Sequence, residues 1–165
     1  ELLSGVRALD LANREADIAL RFFRSSRGDL VGRRLARMPL VVLAKRALAR
    51  KLRGKAPSEL PWVAVELPEI DTPEAAWLRV HGGQARALRC NNYEVQLAAI
   101  RAGVGVGLVP RAALLAHPDL IALEAMPPGP TLELFLITRR AIRSVPRITR
   151  VIDVLVSELG KLDGQ

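Results

Sequence analysis

Apolar residues near the end of the chain recur at the spacing of a helix. They are Ile148, Val151, Ile152, Leu155, Val156 and Leu159. Counted from the first, their offsets are 0, 3, 4, 7, 8 and 11, which places them on one helical face. The segment 144–146 ends in a proline that can open this helix, and Gly160 can close it. We therefore predict an amphipathic C-terminal helix packed on a core.

Capping residues mark two helices in the middle of the chain. Thr72 precedes a proline, a pairing typical of a helix start, and the glycine pair at 82–83 ends that segment. Either Asn91 or Asn92 caps a second helix, which ends at Gly103. We also expect helices at 4–14 and at 46–53.

Short apolar runs between these helices predict strands. They lie at 16–20, 33–43, 62–67, 85–90, 104–109 and 131–137. Pro39 interrupts the second run, and because proline offers no N–H to a ladder, we expect this strand to change partners or to lie at an edge there. The alternation of strands and helices predicts an α/β fold with parallel sheets. Two sheets are expected, with the strands near 39–44 and 131–137 crossing between two lobes.

Composition narrows the class of protein. The chain has 165 residues, half of them hydrophobic and a quarter charged, which fits one globular domain or two small lobes. We find no apolar run long enough to span a membrane and no signal-peptide pattern at the start. The single cysteine, Cys90, fits a reducing compartment, and we interpret it as a small buried hydrophobe rather than a redox sensor.

The net charge is +8, from 25 Lys and Arg against 17 Asp and Glu. A basic chain can bind nucleic acid. The basic residues are scattered along this one, however, and aromatic residues make up only 4% of it, so stacking platforms are missing. Arginine excess can also reflect a GC-rich genome. We therefore do not expect this segment itself to bind nucleic acid.

Residues that could support catalysis or metal binding do not form a recognisable set. His81 and His117 lie at no metal-ligand spacing, and no Ser/His/Asp arrangement stands out. The carboxylates at 66, 69 and 71 can be an acid–base group, although a solvated loop explains them better. The glycines at 103–107 follow a helix and enter a strand, the reverse of a dinucleotide-binding loop. We expect no enzyme activity, no metal and no cofactor.

Four segments, in order, carry a family resemblance. They are the segment 9–21, the segment 28–44, the Gly-rich strand ending in proline at 102–110, and the tail from 138 through the final helix. Together they span nearly the whole chain. They resemble the effector-binding domain of LysR-type transcriptional regulators.

This resemblance implies a two-lobed type 2 periplasmic-binding-protein-like α/β fold, with two mixed sheets joined by two crossover strands. Lobe I would comprise 1–42 and 138–165, and lobe II would comprise 43–137. The family's helix-turn-helix domain, and the first strand and helix of lobe I, are not found in this sequence, so we expect it to be N-terminally truncated.

The resemblance also implies a small-molecule effector bound between the lobes, at strand-to-helix junctions. Ser4 and Gly5 occupy such a junction in lobe I, and Thr72, Asn91 and Asn92 occupy two in lobe II. Helix starts favour anions, so we expect an anionic effector, such as a carboxylate. The alternative is that Ser4, Thr72 and both asparagines are ordinary N-caps.

We also state expectations for three further side chains and for the protein as a whole. Arg21 can pair with a carboxylate of the effector, whereas Trp62 and Trp77 are expected in the core. The expected protein is a cytoplasmic regulator that forms a homodimer or tetramer and binds DNA only through its N-terminal domain. The alternative is a stand-alone solute-binding protein of the same fold.

Overall fold

The computed structural model describes residues 1–3, 9–22, 28–67 and 70–164. The chain divides into two compact units. Unit 1 contains residues 1–38 and 132–165, and unit 2 contains residues 39–131. Each of the two unit limits falls within a strand that has residues in both units, and each predicted lobe limit falls within one of the same two strands. The lobe assignment itself stays a prediction.

The fold is mixed α/β, as predicted. The strands are β1 Ile18–Arg21, β2 Leu30–Lys45, β3 Trp62–Val65, β4 Arg86–Cys90, β5 Gly107–Pro110, β6 Leu120–Ala122 and β7 Thr131–Arg139. The α-helices are α1 Arg46–Lys51, α2 Pro73–His81, α3 Tyr93–Ala102, α4 Ala113–Ala116 and α5 Pro146–Leu159. Short 3₁₀ helices occupy Pro57–Glu59, Arg140–Ile142 and Gly160–Leu162.

In unit 1, a sheet is covered by the predicted amphipathic helix. β7 lies between β1 and β2, and β1 runs antiparallel to β7. The core contains apolar side chains of β2 and β7, and α5 packs against it: Leu35, Ala36, Met38, Leu134 and Leu136, with Ile152, Leu155, Val156 and Leu159. The period of apolar residues therefore identified the helix and most of its packed face correctly. Val151 is the exception, because it is 48% exposed.

The expected helix at 4–14 is wrong for the part that the structure describes. Residues 11–14 form a turn, while residues 4–8 lie outside the described residues. The Asp10 carboxylate accepts hydrogen bonds from the backbone N–H groups of Ala12 and Asn13, at 2.8 and 3.2 Å. Arg14 has a left-handed φ of 62°. The aspartate thus stabilises a turn that competes with the helix.

In unit 2, two kinds of strand pairing occur. β3 and β4 are parallel, and an isolated parallel bridge joins Trp62 to Val106. β5 and β6 both pair antiparallel with the second half of β2. Within the described residues, strands therefore pair both parallel and antiparallel, which corrects the expectation of parallel sheets drawn from alternation alone. Alternation of strands and helices does not predict the direction of pairing here, because β5 and β6 both pair antiparallel with the long strand β2.

The change of partners expected at Pro39 is confirmed. β2 lies beside β7 in unit 1, and from Leu40 onwards it pairs with β5 in unit 2. The Pro39 carbonyl accepts a hydrogen bond from the Arg111 N–H at 2.9 Å. The N–H that proline lacks falls at the switch between partners, where its loss is tolerated.

The core of unit 2 lies between β3, α3 and β5. Its centre includes Leu43, Val63, Ala99, Ile100, Val109 and Leu120. Trp62 and Trp77 are both buried, with their rings edge to face at 5.7 Å between centroids. Each indole N–H donates to a backbone carbonyl at 2.8 Å. Their expected core role is confirmed.

Candidate functional site

The parallel pairing of β3 and β4 brings the carboxyl ends of both strands to one edge. Val65 lies opposite Cys90, and the Glu66 N–H donates to the Cys90 carbonyl at 2.8 Å. The residues that follow the two strands, 66–67 and 91–92, therefore meet at this edge, which we call the carboxyl edge. Ligands of α/β folds bind at such edges.

A depression of about 590 Å³ lies at the carboxyl edge. Of the described residues, Glu66, Leu67, Arg89, Cys90 and Asn91 line it. The volume falls within the range of small-molecule sites, roughly 300–1,000 Å³. The lining includes a cation, a carboxylate and an amide, so it can hold a small polar ligand by hydrogen bonds and charge.

Two arginines lie near the Glu66 carboxylate of this lining. The Glu66 carboxylate lies 3.6 Å from Nε of Arg89 and 3.9 Å from Nε of Arg86. The Arg86 side chain is 13% exposed, and its Nη1 also donates to two backbone carbonyls. Arg89 is 65% exposed. Among the residues that the structure describes, the lining thus has one carboxylate and one exposed guanidinium, and the mostly buried guanidinium of Arg86 lies beside that carboxylate.

The predicted site residues of unit 2 fall into two groups. Asn92 is the N-cap of α3, where its Oδ1 accepts from the N–H groups of Glu94 and Val95 at 2.7 and 3.2 Å. Thr72 is the N-cap of α2, and its Oγ1 accepts from the Ala75 N–H at 3.1 Å. Both oxygens are therefore engaged in capping. Asn91 is exposed and lines the depression.

A polar contact that the sequence did not reveal joins the starts of α2 and α3. The Tyr93 hydroxyl donates to Oε1 of Glu74 at 3.1 Å. Glu74 is only 5% exposed, and its Oε2 has no hydrogen-bond partner within the described residues. Burial, then the charge and hydrogen bond of Glu74, raise the pKa of Tyr93. No spacing pattern could have paired two residues that belong to different helices.

The remaining predicted site residues lie elsewhere. Ser4 and Gly5 fall outside the described residues. Arg21 is in unit 1, where its guanidinium donates to the carbonyl of Leu9. The structure thus brings the two asparagines to one edge and ties the starts of α2 and α3 together, while Arg21 belongs to the other unit. The ligand roles of all six residues stay predictions.

The other candidate groups have ordinary partners. Asp71 forms a bidentate pair with Arg79 at 2.8 and 2.9 Å, and the hydrogen bond of Arg79 lowers the pKa of Asp71. Glu66 and Asp71 are thus paired with separate arginines. The rings of His81 and Trp77 are in contact, with 4.7 Å between their centroids and a tilt of 48° between their planes. Among the residues described, no group of three metal-ligating side chains occurs, and no helix is long and apolar enough to cross a membrane.

Comparison with known families gives this geometry a context. The family model of the LysR substrate binding domain matches residues 1–160. The chain belongs to this family. Domains of the family are regulatory and bind small-molecule effectors. No curated protein sequence matches the chain.

Several solved structures share the fold of this LysR-family chain. The effector domain of AmpR from Pseudomonas aeruginosa is 21% identical, with a TM-score of 0.71 over 93% of this chain and 77% of that one. The regulatory domain of CrgA from Neisseria meningitidis is 19% identical, with a TM-score of 0.72 over 90% and 78%. Full-length LysG from Corynebacterium glutamicum, with bound effector Arg, is 20% identical, with a TM-score of 0.66 over 90% and 53%. These likenesses establish the periplasmic-binding-protein-like fold.

Proposed function

We propose that this chain is the effector-sensing domain of a LysR-type transcriptional regulator, and that the carboxyl edge of β3 and β4 forms part of its effector site. The observation that carries the proposal is the depression lined by Arg89 and Asn91 at the ends of two parallel strands. Small-molecule sites combine a concave surface with a few polar groups that fix orientation, as this edge does.

The charges of the edge favour an effector with a carboxylate. Arg89 is exposed and its Nε lies 3.6 Å from the Glu66 carboxylate, so an incoming carboxylate can accept from the remaining N–H groups of its guanidinium. The start of α3 adds a favourable dipole for an anion. The amide of Asn91 can orient the ligand. LysG, of the same fold, holds arginine as its effector, a molecule that also carries a carboxylate.

The remaining parts of the proposal come from the family. Ser4, Gly5 and Arg21 enter only through the resemblance, as does an effector bound between lobes. The effector would bind one arrangement of a homodimer or tetramer better than another, and so bias DNA binding by a separate N-terminal domain in the cytoplasm. We propose neither enzyme activity nor a cofactor. The family match supports this regulator over a stand-alone solute-binding protein.

The test is a thermal-shift screen of the chain against small carboxylates and amino acids. A ligand at ~100 times its Kd that binds only the folded state adds about 2.7 kcal/mol. For a chain of this length, that corresponds to a rise of roughly 5–10 °C in the melting temperature. We expect at least one carboxylate to produce such a rise.

Two variants locate the ligand. Asn91→Leu and Arg89→Gln should each remove most of the ligand-induced shift while leaving the melting temperature of the free protein unchanged, because both side chains are exposed. Arg53→Gln, exposed and after α1, is the matched control and should keep the full shift. A carboxylate shift that survives both edge variants would place the site elsewhere and refute the proposal for this edge.

A further inference from the structure

A second positively charged surface lies in unit 1, around the start of α5. No Asp or Glu occurs between Glu133 and Asp153, whereas this stretch contains five arginines. One of them, Arg139, is buried and pairs with Asp17 at 3.0 Å. The other four are exposed: Arg140, Arg143, Arg147 and Arg150. We call these four the arginine face.

Local geometry groups these arginines into two pairs. Arg140 opens a 3₁₀ helix, in which residues three apart eclipse, so Arg143 lies over it. Arg147 and Arg150 are three apart on α5 and therefore share a side of that helix. The Ile148 side of α5 is buried. The arginine face thus points away from the core.

The backbone between the two helices is held in place. The Thr149 hydroxyl donates to the carbonyl of Arg143 at 2.9 Å, which fastens the end of the 3₁₀ helix to the beginning of α5. The Arg143 N–H donates to the Arg140 carbonyl at 3.4 Å. The arginines therefore project from a structured element, so little backbone order is lost when a partner binds.

The charges of the arginine face are not neutralised by neighbours. None of the four makes an ion pair with a carboxylate of the described residues. The backbone N–H of Arg140 donates to the backbone carbonyl of Asp29 at 2.9 Å, but the Asp29 carboxylate forms no ion pair with these arginines. The first turn of α5 contains no acidic residue, and its N-cap, Val145, offers no capping side chain. The helix dipole adds to the positive potential there.

We propose that the arginine face binds the phosphate backbone of duplex DNA. Guanidinium groups pair bidentately with phosphate. On α5, Arg147 and Arg150 are about 4.5 Å apart along the helix axis, at ~1.5 Å per residue. Successive phosphates of one DNA strand are separated by a comparable rise of about 3.4 Å. Exposed apolar residues on this side of α5 are valines, so the aromatic anchors typical of protein interfaces are missing from it.

This inference goes beyond the effector site and does not depend on it. The sequence alone led us to expect no nucleic-acid contact, because its basic residues are scattered along the chain. The structure shows that four of them are exposed within the eleven residues 140–150, without carboxylate partners in the part of the chain it describes. Such a contact carries no base specificity, and would supplement a separate DNA-reading domain.

The test is binding of the 165-residue chain to a short fluorescent duplex of arbitrary sequence, followed by anisotropy over a series of salt concentrations. The plot of log K against log salt should have a negative slope of about 0.9 for each phosphate contacted. Arg143→Gln/Arg147→Gln should reduce that slope by about two contacts. The control Arg50→Gln/Arg53→Gln removes the same charge from exposed positions in and after α1, and should leave the slope unchanged.

Three outcomes would overturn the inference. The first is no binding at low salt. The second is an equal loss in both double variants, which would mean that net charge alone is responsible. The third is displacement of DNA by poly-glutamate at equal charge, which would indicate an acidic protein as the partner. No effector is present in this DNA-binding assay. A failure of DNA binding can therefore be distinguished from a failure of the effector screen.

Discussion

Tyr93 is the only tyrosine of the chain, so its ionisation can be measured without interference from another phenol. Its hydroxyl donates to Oε1 of the buried Glu74 at 3.1 Å, and its ring is half-buried. Loss of the proton would create a second negative charge beside Glu74 in a poorly solvated place. Burial and Glu74 therefore raise the pKa of Tyr93 above its ordinary value of about 10.

The raised pKa has a definite sign for stability. The folded chain retains a proton that the unfolded chain releases near pH 10. The stabilisation is therefore fully present below about pH 10 and is lost as the pH rises from there through the folded pKa. Each unit of pKa difference corresponds to about 1.4 kcal/mol. Solvent at the partly exposed ring screens Glu74, so the full effect of its charge will not be realised.

The assay is alkaline titration of Tyr93, followed by tyrosinate absorbance, with circular dichroism to confirm that the chain is still folded. We expect the native midpoint to lie above the midpoint in urea. Glu74→Gln keeps an acceptor oxygen but removes the charge, so the native midpoint should fall towards the urea value. Equal midpoints for native and denatured protein, or an unchanged midpoint in Glu74→Gln, would refute the reasoning.

Three further changes test the packing and the caps. Gly105→Ala should destabilise the chain by at least ~1–3 kcal/mol in urea unfolding, because the new Cβ would lie 2.1 Å from the Pro61 carbonyl oxygen. A melting temperature equal to that of the unaltered chain would contradict this. Thr72→Ala should cost about 1 kcal/mol, because it removes the cap on the Ala75 N–H, whereas Thr72→Ser should not; equal losses would show that the methyl group matters instead. Asp71→Asn should leave stability unchanged, since its ion pair is exposed, and a marked loss would show that the pair is structural.

Helices were predictable where two independent signals coincide. α2 begins where Thr72 and a following proline agree, and α5 begins at a proline and continues with apolar residues at helical spacing. α3 ends at Gly103, which has a left-handed φ of 83°. Each of these signals depends on neighbours in the chain, so a sequence is sufficient to identify them.

Elements decided by distant contacts were not predictable. α4 and β6 contain four and three residues, too few to show a period. β6 is a strand because residues 43–45 of β2 lie beside it. The turn at 11–14 exists because one aspartate side chain captures two backbone N–H groups, a local competition that apolar spacing does not report.

The candidate site likewise has parts that the sequence predicts and parts that depend on distant contacts. Asn91 and Asn92 could be located at a strand-to-helix junction, because the strand and the cap are both local signals. Which asparagine caps the helix depends on backbone geometry, and the structure assigns that role to Asn92. The pairing of Glu74 with Tyr93, and of Glu66 with arginines on β4, depends on which strands and helices are adjacent in space.

The glycines of 103–107 show how a local pattern can set the position of a remote site. A Cβ on Gly105 would meet the Pro61 carbonyl oxygen, and one on Gly107 would lie 2.5 Å from Cδ1 of Ile100. Their absence of side chains lets the Val106 N–H donate to Pro61 at 2.9 Å, while its carbonyl accepts from the Val63 N–H at 2.8 Å. These bonds hold β3 from the side opposite β4. The carboxyl edge is therefore positioned by close backbone packing, and the glycines act through the fold rather than by binding a ligand.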